Sequence, residues 1–104
     1  MHGYSSFGAY TSDATLRVAE RLTTLSPIPN SVVFLASGGS DAIDTAAKLA
    51  RRYWDVVGKP NKTLRVSREH AYHGRHGMGT SLGGMPVMQT GYGGEPFINE
   101  VVHV

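Results

Sequence analysis

The chain of 104 residues contains no cysteine, which excludes a disulfide scaffold and any chemistry that needs a thiolate. Long apolar runs are also absent: the longest stretch is about five residues, far short of the roughly twenty that span a bilayer. The ten Lys and Arg residues are scattered and the net charge is only +2. Because a nucleic-acid interface needs a clustered basic face, we expect neither a membrane protein nor a nucleic-acid-binding protein.

What is present suits a small globular unit. Apolar residues make up 40% of the chain and charged residues 17%, which is typical of a folded protein rather than a disordered one. The length fits one small domain. The first residues lack the basic and apolar regions of a signal peptide, so we expect a soluble, cytoplasmic protein.

Periodicity and breaker residues predict an alternation of helices and strands. The predicted elements are a helix over about 12–25, a strand over 31–36, a helix over 40–57, a strand over 63–67 and a loop-rich tail over 68–104. Within the tail, a short helix is expected near 77–82 and a third strand begins at 101–104. The first helix carries an apolar stripe that we expect to be buried, formed by Val18, Leu22 and Leu25.

The order strand, helix, strand predicts an α/β fold with a βαβ unit and parallel strands. The strand at 31–36 is almost continuously apolar, which indicates cover on both faces. Two parallel strands and two helices do not close a sheet that is covered on both faces. We therefore expect the chain to be a piece of a larger domain.

A glycine turn connects the first strand to the second helix. Gly39 and Ser40 lie where backbone N–H groups and the positive end of a helix dipole converge, which suits a phosphate. Asp41 follows in the first turn, and its carboxylate must face away from any phosphate that binds there. The turn lacks the glycine fingerprint of dinucleotide folds and the lysine of a P-loop. An ordinary capped turn that binds nothing is the structural alternative.

An aromatic loop lies where the second strand ends. Tyr72 and His73 follow the carboxyl end of that strand, the edge at which ligands bind in open α/β sheets. Tyr72 can stack on a flat heterocycle, although both side chains can instead pack under a loop. His70, His73 and His76 recur every third residue, but without cysteine or a suitably spaced acid they do not predict a metal site.

The lysines do not provide a covalent partner for a carbonyl cofactor. Such a lysine needs a desolvated pocket that lowers its pKa. Lys48 lies in the middle of a predicted helix, and Lys59 and Lys62 lie in the exposed connection after it. We therefore predict no catalytic residue in this chain.

Together the two segments resemble the class III aminotransferases, which depend on pyridoxal 5′-phosphate (PLP). The family motif Gly-Ser-Glu-Ala-Asn-Asp-Thr-Ala-x-Lys-Leu-Ala-Arg is similar to the segment from Gly39 to Arg51, and its later Tyr-His-Gly is matched by residues 72–74. A Gly-Lys-Pro that also fits lies at 58–60. Asp41 stands where the family usually has Glu, and Ile43 where it usually has Asn.

The resemblance implies a fragment of the cofactor-binding large domain of fold type I. It implies that Gly39 and Ser40 hold the cofactor phosphate and that Tyr72 stacks on the pyridine ring with His73 beside it. It also implies amino-group transfer between an amine or amino acid and a 2-oxo acid, in a protein whose full-length relatives form homodimers. In that family the lysine that binds PLP covalently comes much later in the chain, so we expect this polypeptide alone to be inactive.

Two other functions are compatible with the same motifs. Within the same cofactor class, an aminomutase or a decarboxylase is an alternative, since a phosphate cradle does not define the reaction. A non-catalytic phosphate- or nucleotide-binding α/β module is the alternative from another class.

Overall fold

The computed structural model describes residues 10–92 and 98–104. The chain divides into two units, residues 1–35 and 36–104. The described residues form an α/β arrangement, which confirms the predicted fold class. Its elements in chain order are α1 (Asp13–Leu25), α2 (Gly39–Val56), β1 (Arg65–Ser67), α3 (Gly77–Leu82), α4 (Pro86–Gln89) and β2 (Val101–His103).

The first unit contains α1. Ser12 is its N-cap, and the Ser12 hydroxyl accepts a hydrogen bond from the Thr15 N–H at 3.2 Å. The helix ends before Pro27 and Pro29, which cannot continue it.

The strand predicted over 31–36 is wrong, because the structure assigns no strand to these residues. The segment has apolar, β-favouring side chains, but a strand exists only through hydrogen bonds to a neighbouring backbone. No described residue supplies that partner, and Val32 is 93% exposed. The βαβ unit is therefore not built from the predicted elements, because the first of its two predicted strands is not a strand in the structure.

The second unit begins with α2, the longest helix of the described residues. Its sequence is rich in alanine and carries no internal Gly or Pro, which favours a helix. Gly58 follows the helix with a φ of +75°, and the Lys59 N–H reaches back to the Trp54 carbonyl at 2.8 Å. The left-handed backbone of Gly58 closes the helix because it lets the Lys59 N–H pair with a carbonyl that the helix leaves unpaired.

Among the described residues the sheet consists of two parallel strands, β1 and β2, in the register Arg65 to Val101 and Ser67 to His103. The prediction of parallel strands is confirmed, but the partner of β1 is the strand that begins near 101. Helices α3 and α4 lie between them in the chain, so the crossover passes through the tail and not through α2.

The predicted loop-rich tail contains more regular structure than its glycine content suggests. Helix α3 has the bounds expected for the short helix, whereas α4 was not predicted. Four residues are too few for a periodic pattern, and Pro86 at its first turn is the local signal. Residues 93–97 of the tail lie outside the described part of the chain.

Burial differs from the sequence-based expectation. No apolar side chain among the described residues is buried, and the buried polar side chains are Ser67, Thr80 and Ser81. The stripe expected to be buried on α1 is exposed: Val18 at 49%, Leu22 at 45% and Leu25 at 64%. A helix stripe is buried only by a second layer of structure, and residues 10–35 contain no helix or strand besides α1. None of the described helices has the length and apolarity needed to span a membrane.

Candidate functional site

The N-terminus of α2 is built from main-chain groups. Its N-cap is Gly38, which has extended backbone and provides no side-chain cap. The first intrahelical hydrogen bond runs from the Ala42 N–H to the Gly38 carbonyl at 3.0 Å. The N–H groups of Gly39, Ser40 and Asp41 therefore have no partner within the helix. Three such donors at the positive end of an 18-residue helix form a place where an anion is stabilised.

Ser40 connects this helix end to the aromatic loop. Its hydroxyl oxygen accepts a hydrogen bond from the Arg75 N–H at 3.0 Å. A serine hydroxyl has one proton and two lone pairs. Accepting from Arg75 leaves the proton available for a ligand oxygen.

Gly74 brings the loop against the helix at van der Waals distance. Its φ is +114°, a conformation that side chains with a Cβ rarely adopt. A Cβ at this position would lie 2.9 Å from both Cα and Oγ of Ser40. Only glycine permits this approach, and it brings the segment with Tyr72 and His73 to the start of α2.

Tyr72 and His73 lie in this loop, two residues and one residue before Gly74. The base of the loop is held by backbone hydrogen bonds from Gly84 to Ala71 at 3.0 Å and from His70 to Gly84 at 2.8 Å. Tyr72 is 58% exposed, whereas His73 is half-buried. An exposed phenol ring on an anchored loop has a face available for a planar ligand.

The Asp41 carboxylate is engaged by His76. Its Oδ1 lies 3.4 Å from Nδ1 of His76, and both side chains are about half exposed. An acid in the first turn of a helix repels an anion that binds at the same helix end, and a cationic partner weakens that repulsion. His76 supplies such a partner when it is protonated.

Asp44 belongs to the candidate site by its contacts, and the sequence-based prediction did not include it. It lies one turn after Ser40, and its Oδ1 accepts a hydrogen bond from the Gly79 N–H at 3.1 Å. Both side chains thus contact the backbone of the same segment. The available signal was their spacing, because residues four apart share one face of a helix.

The lysines lie away from this site. Lys48 is exposed on α2, and Lys59 and Lys62 place their Nζ atoms 5.8 Å and 4.1 Å from the centre of the Trp54 ring. None of them is desolvated. The described residues therefore combine a candidate anion site and an aromatic loop, and the three lysines are exposed.

Comparison with known proteins identifies the family. The sequence profile of aminotransferase class-III matches residues 2–104. The beta-alanine–pyruvate aminotransferase of Pseudomonas aeruginosa is 39% identical over 82 residues, which cover 79% of this chain and 18% of that protein. The acetylornithine aminotransferase of Vibrio cholerae is 35% identical over 94 residues, or 90% of this chain and 22% of that protein.

Solved structures show the same similarity in three dimensions. An omega-aminotransferase from Paracoccus denitrificans superposes with a TM-score of 0.84 and 33% identity, over 98% of this chain and 22% of that one. An amine transaminase from an uncultivated Pseudomonas species, solved in its PLP-bound form, gives a TM-score of 0.82 and 36% identity over 99% of this chain and 23% of that one.

The fold and the sequence therefore define part of a PLP-dependent transaminase fold. The chain belongs to the class III aminotransferase family. It spans about a fifth of the length of the curated relatives that it matches.

Proposed function

We propose that the complete protein to which this chain belongs is a PLP-dependent aminotransferase. It transfers an amino group between an amine or amino acid and a 2-oxo acid. The observation that carries the proposal is the contact between the two motifs: Gly74 lies against Ser40, and the Arg75 N–H binds the Ser40 hydroxyl. The relatives described above are aminotransferases, which favours transamination over a mutase or a decarboxylase reaction.

Gly39 and Ser40 bind the cofactor phosphate in this proposal. A Cβ at Gly39 would meet no atom within 4 Å, so the protein's own packing leaves this surface accessible to a ligand. The unpaired N–H groups of the first turn and the Ser40 hydroxyl provide donors of the kind that a phosphate requires. The residues present thus fit a phosphate ester.

Tyr72 and His73 contact the ring of the cofactor. Tyr72 stacks on the pyridine, and His73 lies beside it. Stacking fixes the plane of the ring while the helix end holds the phosphate, so the two contacts together define the orientation of the cofactor.

When bound, PLP acts as the electron sink for the bonds around the amino carbon. This chain's residues bind and orient it, but its lysines are not placed to bind the aldehyde carbon. We therefore propose that the polypeptide of 104 residues binds PLP without transaminating. The test is to incubate it with stoichiometric PLP, reduce with borohydride and analyse lysine peptides by mass spectrometry. A stoichiometric pyridoxyl-lysine together with turnover would contradict the proposal.

A thermal-shift titration tests the choice of ligand. We expect PLP to raise the melting temperature and NAD to leave it unchanged, because the turn lacks the glycine fingerprint that a dinucleotide needs. Selective stabilisation by NAD would instead identify a nucleotide-binding module.

The assembly and location of the complete protein are part of the proposal. We propose a cytoplasmic homodimer, in keeping with the aminotransferase family. Light scattering on the complete protein measures the mass of the assembly, and cell fractionation measures its location. A monomer that is fully active, or a membrane-associated protein, would contradict this part.

A further inference from the structure

Asp44 supplies to α3 the hydrogen bond that its own N-cap does not make. Helix α3 begins at Gly77 with His76 as N-cap, and the His76 side chain forms no capping bond. Gly79 is the third residue of this helix, and the N–H groups of the first turn have no partner inside the helix. The Asp44 carboxylate accepts from the Gly79 N–H at 3.1 Å, so the cap comes from the neighbouring helix. Hydrogen bonds to a charged acceptor are among the stronger ones in proteins.

This cap and the hydrogen bond from the Arg75 N–H to Ser40 together hold residues 75–79 on α2, and we call the pair of bonds a clamp. Ser40 and Asp44 lie one turn apart on α2, and they hold the N–H groups of Arg75 and Gly79, which are also four residues apart. Two bonds over this span define both the position and the direction of the segment that they hold. One bond alone would leave the segment free to rotate about it.

The backbone of Gly79 packs against the backbone of His73. A Cβ at Gly79 would lie 2.5 Å from the His73 carbonyl oxygen, so the backbones of Gly79 and His73 are in direct contact. Gly79 is itself buried. A displacement of Gly79 therefore moves His73 and the neighbouring Tyr72.

We propose that Asp44 is a positioning residue for the cofactor site. Its carboxylate holds residues 72–79 on α2 and thereby places Tyr72 and His73 beside the phosphate site at Gly39 and Ser40. Asp44 does not contact the cofactor. The inference rests on the proposed function only for the identity of the ligand, since the clamp itself is independent of it.

The first test measures the clamp without ligand. Hydrogen–deuterium exchange by mass spectrometry on the complete polypeptide compares D44A, D44N and the control D55A. Asp55 is on the same helix, but it pairs with Arg52 at the exposed surface. We expect D44A to raise exchange over 72–82 by on the order of tenfold and to leave 48–58 unchanged. D44N keeps an oxygen acceptor without the charge, so we expect a rise of about threefold over 72–82. D55A should match the wild type over 72–82.

The second test measures ligand affinity by equilibrium dialysis with PLP. We expect the Kd to rise about tenfold in D44A, to recover to within about threefold in D44N, and to be unchanged in D55A. A merely structural role would lower the melting temperature and raise exchange throughout the chain, with no selective recovery in D44N.

The outcomes separate the two proposals. If the wild type does not bind PLP, the proposed function is contradicted. The exchange experiment needs no ligand, so it still tests whether Asp44 holds residues 72–79 on α2. If D44A gives no folded protein, the exchange of D44N is the deciding measurement. A rise in its exchange rate that is confined to 72–82 supports the clamp. Exchange at the wild-type rate in that segment, or a rise that is equal everywhere, overturns it.

Discussion

The substitution Gly74→Ala tests the contact on which the proposed site depends. At a φ of +114°, a side chain with a Cβ is strained by about 1–3 kcal/mol. The new Cβ would also lie 2.9 Å from Cα of Ser40, whereas ordinary contacts begin near 3.4 Å. That atom belongs to a helix backbone and cannot rotate away. Moving the loop instead breaks the hydrogen bond from Arg75 to Ser40, which is worth about 0.5–1.5 kcal/mol.

Together these two contributions destabilise the contact between the loop and α2 by about 1.5–4.5 kcal/mol. Since about 1.4 kcal/mol is a factor of ten, we expect the Kd for PLP to rise at least about tenfold, or the protein to melt at a correspondingly lower temperature. Equilibrium dialysis and a thermal melt on the same preparation measure both quantities.

Gly77→Ala is the matched control. A Cβ at Gly77 would meet no atom within 4 Å, and its backbone is not left-handed. Because Gly77 begins α3, alanine should be neutral or stabilising by up to about 1 kcal/mol. A G74A variant that binds PLP and melts like the wild type would refute the reasoning, as would a G77A variant that is equally damaged.

Three further substitutions address the other parts of the chain. Ser40→Ala removes the acceptor of the Arg75 N–H, and we expect the Kd for PLP to rise about tenfold in dialysis; an unchanged Kd would contradict the role of the hydroxyl. Tyr72→Ala should weaken PLP binding roughly two- to tenfold, and Tyr72→Phe should not, because stacking needs only the ring; equal losses would exclude stacking. Ser12→Ala should destabilise α1 by about 1 kcal/mol, seen as faster amide exchange at Thr15 with an unchanged Kd; unaltered exchange would contradict the cap.

Helix α2 is an element that the local sequence predicts correctly. Its alanine-rich pattern, the glycine turn before it and Gly58 after it are all within the segment, and they predict a helix over 40–57 where the structure has Gly39–Val56. The linear motifs at Gly39 and Tyr72 are equally local, so the site residues can be proposed without a structure. Their side-chain roles remain predictions.

The segment 31–36, which was predicted as a strand, shows what a local pattern cannot predict. Its apolar content favours β structure, yet a strand is defined by hydrogen bonds to another backbone, and the described residues provide none. The strand β1 has a partner 36 positions away along the chain, at Val101–His103. No periodicity within either segment specifies that pairing.

By itself, the sequence determined the α/β class, the helix α2 and the two motifs of the aminotransferase family, because each depends on residues close together in the chain. Only the tertiary structure decided that β1 pairs with β2 and that Gly74 contacts Ser40. It also decided that Asp44 of α2 caps the neighbouring helix α3. These are contacts between segments about 35 residues apart. Their geometry arises from the packing of whole elements, which no local pattern encodes.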